Sequence, residues 1–94
     1  MPSAFASVET EHATRYVAQL CKHFGHKIDV RYSEGSGECR FPFGSARLQA
    51  RDNAIVVNVE APESDDLARM KKVIEDHLLR FAFRENLPSL SWSV

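Results

Sequence analysis

The sequence predicts an α+β fold: a two-layer sandwich with one antiparallel sheet and both helices on one face of it. Three observations predict this. Apolar and polar residues alternate with period two through four successive segments between Ile28 and Glu60, separated by short turn signals. Two further segments, one on each side of that run, repeat apolar residues at helical spacing. The 94 residues, 44% hydrophobic and 27% charged, supply one core and one domain spanning 1–94.

In chain order, Ala4, Ala6 and Val8 alternate with Phe5, Ser7 and Glu9, which makes Ser3–Glu9 a first strand, β1. Thr10 is an N-cap residue type and Glu11 suits a first turn. Ala13, Tyr16, Val17, Leu20 and Phe24 then form the apolar face of a helix, α1. Lys22 and His23 match its negative end, and Gly25 is expected to stop it in a left-handed conformation.

From Ile28 the period becomes two: Ile28, Val30 and Tyr32 alternate with Asp29, Arg31 and Ser33 in β2. After the turn signal Glu34-Gly35-Ser36-Gly37, β3 places Cys39, Phe41 and Phe43 inward, and Pro42 makes it an edge strand or ends it. Gly44 leads into β4, with Ala46, Leu48 and Ala50 on one side. Asp52-Asn53 closes a tight hairpin into β5, with Ile55, Val57 and Val59 inward. Pro62 and Ser64 fit the start of a second helix, α2, whose core stripe is Leu67, Met70, Ile74, Leu78 and Phe81 and whose end is expected near Asn86, ahead of Pro88. Leu90, Trp92 and Val94 alternate with serines, predicting a last strand beside β1 with Trp92 buried. The order β-α-β-β-β-β-α-β resembles the topology of TATA-binding proteins.

Twelve basic and thirteen acidic side chains leave a formal net charge of -1, so no global field favours a nucleic acid or an anionic membrane. Residues Met1–Thr10 carry no basic stretch followed by an apolar run, and no apolar run approaches the ~18 residues of a membrane span. Only Cys21 and Cys39 are present, too few for a disulfide framework, which predicts a reducing cytoplasm.

Four histidines raise the question of metal. Along α1, Cys21 and His23 point about 160° apart and His12 lies ~16 Å from His23, so these pairs cannot share an ion. Only His23 with His26, joined by His77 from α2, can converge, which is short of a full ligand set, and no metal or cofactor is expected. Cys21 in the last turn of its helix meets the wrong dipole for a thiolate, and Cys39 shares its face with Phe41, so both read as small core hydrophobes. Gly35-Ser36-Gly37 joins two strands instead of opening a helix, so it is no phosphate loop. These readings point away from an enzyme.

The open face of the sheet carries Arg31, Arg40, Arg47 and Arg51 among Asp29, Glu38 and Glu60, which predicts cross-strand ion pairs rather than a nucleic acid groove, with the strand aromatics facing inward. On α2, Leu79 and Phe83 lie about 120° to 160° from the Leu67 direction and are expected at the surface as an interaction patch for a partner or a second copy. The flank bearing His77, Arg80 and Arg84 is cationic, and planar guanidinium groups suit a carboxylate or catecholate.

Three segments carry a resemblance: Arg15–Lys27, then Phe41-Pro42-Phe43-Gly44, and His77–Glu85. Over essentially the whole chain the sequence resembles the bacterial domain-of-unknown-function family numbered twenty-two eighteen. The resemblance supplies no catalytic residue. It implies a cytoplasmic protein and, through the association of some members with siderophore-interacting flavoproteins, a setting in iron acquisition. Two functions are therefore expected. The first is a non-enzymatic accessory domain acting through a protein partner or self-association. The alternative is a binder of a small anionic ligand or metal chelate using His23, His26, His77, Arg80 and Arg84.

Overall fold

Five antiparallel strands pair in the spatial order β1-β5-β4-β3-β2 in a computed structural model that describes residues 2–82 together with Leu90, Trp92 and Ser93. The elements are β1 (Ser3–Glu9), α1 (Ala13–Phe24), β2 (Asp29–Ser33), β3 (Ser36–Phe41), β4 (Gly44–Arg51), β5 (Ala54–Glu60) and α2 (Ser64–Phe81). This is the α+β sandwich that the alternating and helical periodicities predict. Chain reversal between strands is tight. Asp52 and Asn53 both take positive φ, as do Glu34 and Gly35, the backbone that a two-residue hairpin turn requires.

One face of the sheet buries Ala4, Ala6, Val8, Cys39, Ala46, Leu48, Ile55, Val57 and Val59. Against it α1 buries Ala13, Tyr16, Val17, Leu20, Cys21 and Phe24, and α2 buries Met70, Ile74 and Leu78. Leu67 and Phe81, at the two ends of the α2 stripe, are half-buried against this core. Each large side chain fully buried here contributes about 1.5 to 3 kcal/mol, so the two layers hold each other.

Several local expectations are corrected. Helix α1 begins one residue after His12, which lacks a side-chain cap, and the Thr10 hydroxyl instead accepts the His12 N–H at 3.1 Å, serving the turn before the helix. Gly25 is right-handed, with φ -61° and ψ -15°, because the chain leaves α1 through further helix-like turns: Lys27 and Ile28 N–H both donate to Phe24 O at 3.0 Å. Of the two readings of Pro42 the second holds, since β3 is internal and ends at Phe41, so Pro42 costs no ladder bond, whereas Phe43, expected inward on β3, lies in the turn. Tyr32 takes the helix side of β2 but borders an open groove against α1 and is 44% exposed.

Helix α2 ends at Phe81, with Ala82 as its cap, five positions before the expected Asn86. Ala82 is buried and its N–H donates to Leu78 O at 3.0 Å, and the expected Asn86 and Pro88 lie outside the described residues. Leu79, expected at the surface, is half-buried. Phe83, Arg84 and Val94 lie outside the described residues. Of the expected last strand, the described residues show one bridge, Phe5 to Ser93, whose two backbone bonds measure 2.8 Å. Trp92 is half-buried rather than buried, because its indole N–H reaches out to donate to Glu75 Oε1 at 3.1 Å.

Candidate functional site

Sequence reasoning placed candidate ligand-binding groups at the end of α1 and on α2, and the packing of the two helices brings part of that set together. The His23 and His77 rings lie 5.1 Å apart, centroid to centroid. His23 is positioned by the last turn of α1, edge-on to Phe24 at 5.5 Å and to Phe81 of α2 at 5.7 Å. His77 sits against Phe24 at 5.0 Å, and Phe24 packs edge-on against Phe41 at 5.1 Å. An aromatic floor thus runs from both helices to the β3–β4 turn, where Phe43 packs tilted against Phe41 and carries the Arg69 guanidinium over its ring at 4.1 Å.

The electrostatics of this patch are positive. His77 Nδ1–H donates to the Val73 carbonyl at 2.7 Å, which fixes the tautomer and leaves Nε2 as the free ring nitrogen. The His23 pKa is held below the ordinary imidazole value, first by desolvation against the surrounding rings and then by the charges of His77, Lys27, His26 and Arg80. Every charged group that moves it is cationic, so the patch resists its own protonation and gains when an anion arrives.

Of the sequence candidates, His23, His77 and Arg80 share this patch, and His26 borders it closely enough to act on His23. Arg84 falls outside the described residues. Lys27 and the aromatic floor were not singled out from the sequence, although Phe24 and Phe41 were assigned to the core and Lys27 follows the Gly25 turn directly. Among the described residues no group of three or more metal-ligating side chains converges.

The open sheet face behaves differently. A cleft of about 440 Å³ there is bordered by Glu38, Arg40, Arg47 and Glu60. Glu38 takes an ion pair from Arg40 at 3.3 Å and one from its cross-strand neighbour Arg47 at 3.6 Å, so these cations are partly neutralised. Such exposed pairs contribute little to stability, and one carboxylate, Glu38, is shared between the two guanidinium groups.

Together the fold and the patch define a small α+β domain with one ion-paired sheet face and a cationic, aromatic-floored surface on the helical side. The chain belongs to the family described as uncharacterized protein conserved in bacteria (DUF2218), whose model matches residues 5–93. It is also similar to the solved NMR structure of PA4090 from Pseudomonas aeruginosa, at 36% identity and a TM-score of 0.84, covering 99% of this chain and 96% of that one. None of the curated proteins compared matches. No helix among the described residues is long and apolar enough to cross a membrane.

Proposed function

We propose that this domain is a non-enzymatic binding module that holds a small anionic ligand, of carboxylate or catecholate chemistry, on the patch formed by His23, His77 and Arg80. The observation that carries this reading is the convergence of His23 and His77 from two different helices, with cationic neighbours alone acting on His23. An anion placed there pairs with the Arg80 fork, a catechol hydroxyl donates to the His77 Nε2 lone pair, and the half-buried Phe81 offers apolar surface to a ring or methylene chain. An iron chelate bearing such groups is the ligand class consistent with the iron-acquisition setting of the family resemblance. The touching thiols of Cys21 and Cys39 suit a reducing cytoplasm.

The test is titration of the protein with citrate, with dihydroxybenzoate and with ferric citrate, followed by imidazole and amide resonances. The expected result is a shift of His23 and His77 signals with at least one of these, a rise of the His23 titration midpoint in its presence, and a weakening of at least tenfold in Arg80→Ala. Unmoved His23 and His77 signals with all three, or equal binding by Arg80→Ala, would overturn the reading.

A further inference from the structure

The two edges of the sheet are not equivalent. On β1, Ser93 occupies the outer edge at Phe5 through a pair of backbone bonds. At the other end of the sheet β2 pairs with β3 on one side only, and no described strand lies beyond it. An edge of this kind is a template for another strand.

The register of the β2–β3 hairpin decides which groups β2 presents outward. Ser33 and Ser36 close the two-residue turn, so Ser33, Arg31 and Asp29 spend their N–H and C=O groups on β3. The alternate residues, Tyr32, Val30 and Ile28, aim theirs away from the sheet. The Ile28 N–H is already used, donating to Phe24 O at 3.0 Å, but its carbonyl faces outward with both groups of Val30 and Tyr32.

We infer that β2 is a self-recognition edge, pairing antiparallel with β2 of a second copy of this chain about a two-fold axis at Val30. The strand is self-complementary in that register and not in its neighbours. With Val30 opposite Val30, Asp29 of each copy faces Arg31 of the other on the open face, and Ile28 faces Tyr32 on the helix side. The two Val30 residues exchange backbone bonds, and each Tyr32 N–H reaches the Ile28 carbonyl of the other copy. Sliding the axis by one position either way sets Arg31 against Arg31 or Asp29 against Asp29, and like charges directly opposite are unfavourable. A slide to Tyr32 opposite Tyr32 runs the pairing into the Glu34-Gly35 turn.

The side chains at this edge are consistent with such a neighbour. Tyr32 is 44% exposed, and Val30 and Ile28 are half-buried. Tyr32 and Val30 border a groove of about 250 Å³ that also touches Ala18, Cys21 and Gly25 on the α1 side. Lys22 rims the same groove and keeps its ammonium in water on a flexible stem. Pairing joins the two sheets into one and covers the exposed tyrosine.

Sedimentation equilibrium across roughly 10 μM to 1 mM tests this, the range suited to a small interface. Wild-type protein is expected to dimerise as concentration rises, with amide protection growing at Val30 and Tyr32. Asp29→Arg and Arg31→Asp each set like charges together and are expected to weaken association at least tenfold, while an equimolar mixture of the two restores it. Thermal melts establish that each variant is folded, and the wild-type amide protection stands independently of them. A wild-type chain that stays monomeric without added protection at these amides overturns the inference. So does wild-type-like association of both single variants, or a mixture of folded variants that fails to associate.

Discussion

The thiols of Cys39 on β3 and Cys21 on α1 lie within hydrogen-bonding reach of each other, and this pair of buried cysteines joins the sheet to the first helix. The pairing divides the two thiols. Cys39 is pushed far above the ordinary thiol range by its hydrogen bonding with Cys21 and by its burial. Cys21 is drawn below that range by its hydrogen bonding with Cys39, against the opposing effect of its burial.

Stability is therefore expected to fall with rising pH above the ordinary thiol value of about 8.5. The sign follows from linkage: a group with a raised folded pKa contributes stability that is complete below its unfolded pKa and lost above it, as the unfolded chain releases the proton. The Cys21 contribution has the opposite sign and is complete above that same value. Urea melts between about pH 8.5 and 10 should show wild-type stability decreasing by up to ~1.4 kcal/mol per pH unit more than that of Cys39→Ala. Identical slopes for the two proteins would remove the linkage.

The same contact fixes the neighbouring glycine. A Cβ built on Gly37 would overlap the Cys21 sulfur. Neither Cys21, 3% exposed, nor the strand beneath it has room to yield. Gly37→Ala is expected to cost about 1 to 3 kcal/mol as an overpacking substitution. The double variant Gly37→Ala with Cys21→Ala should recover part of that loss, which denaturant melts of the three variants would show. Equal stability of Gly37→Ala and wild type would mean that α1 rests on β3 less tightly than this.

Much of this fold is written in local pattern. The inward set Ile55, Val57 and Val59 is buried as its alternation requires, and Asp52-Asn53 turns where its residue types allow positive φ. What local pattern could not supply is the packing between elements. Cys21 and Cys39 each read correctly as buried, but nothing in one chain segment tells it which partner faces it across the layers. Tyr32 kept the expected side of its strand and missed burial because the groove between β2 and α1 stays open. The patch was half legible for a related reason. Helical periodicity put His77 and Arg80 on one flank of α2, while the approach of His23 depends on how the two helices cross.

At that crossing, His77→Ala is expected to raise the His23 titration midpoint toward the ordinary imidazole value, since it removes both a ring that desolvates His23 and a charge that opposes its protonation. Proton chemical shifts of His23 from about pH 4 to 8 would measure it. Arg80→Ala should move the midpoint the same way by less, because Arg80 is the last of the charges acting on it. A His23 midpoint unchanged in His77→Ala would separate the two rings electrostatically.

The described C-terminal residues are expected to contribute to stability. Leu90 is 7% exposed and belongs to the core, Ser93 supplies the paired backbone bonds to Phe5, and Trp92 reaches Glu75. Ending the chain after Ser89 removes all three, opens the outer edge of β1 and uncovers the core around Leu90. Loss of one large buried side chain and one half-buried one costs about 2 to 5 kcal/mol. Trp92→Phe isolates a smaller part, because it keeps most of the apolar contact while deleting the donor to Glu75, and should cost about 1 kcal/mol. Thermal or urea melts of the truncation and of Trp92→Phe separate these contributions. If the truncated chain melts like the full one, the bridge at Phe5 is a passive contact, and the closing of the β1 edge must be assigned to strand β1 itself.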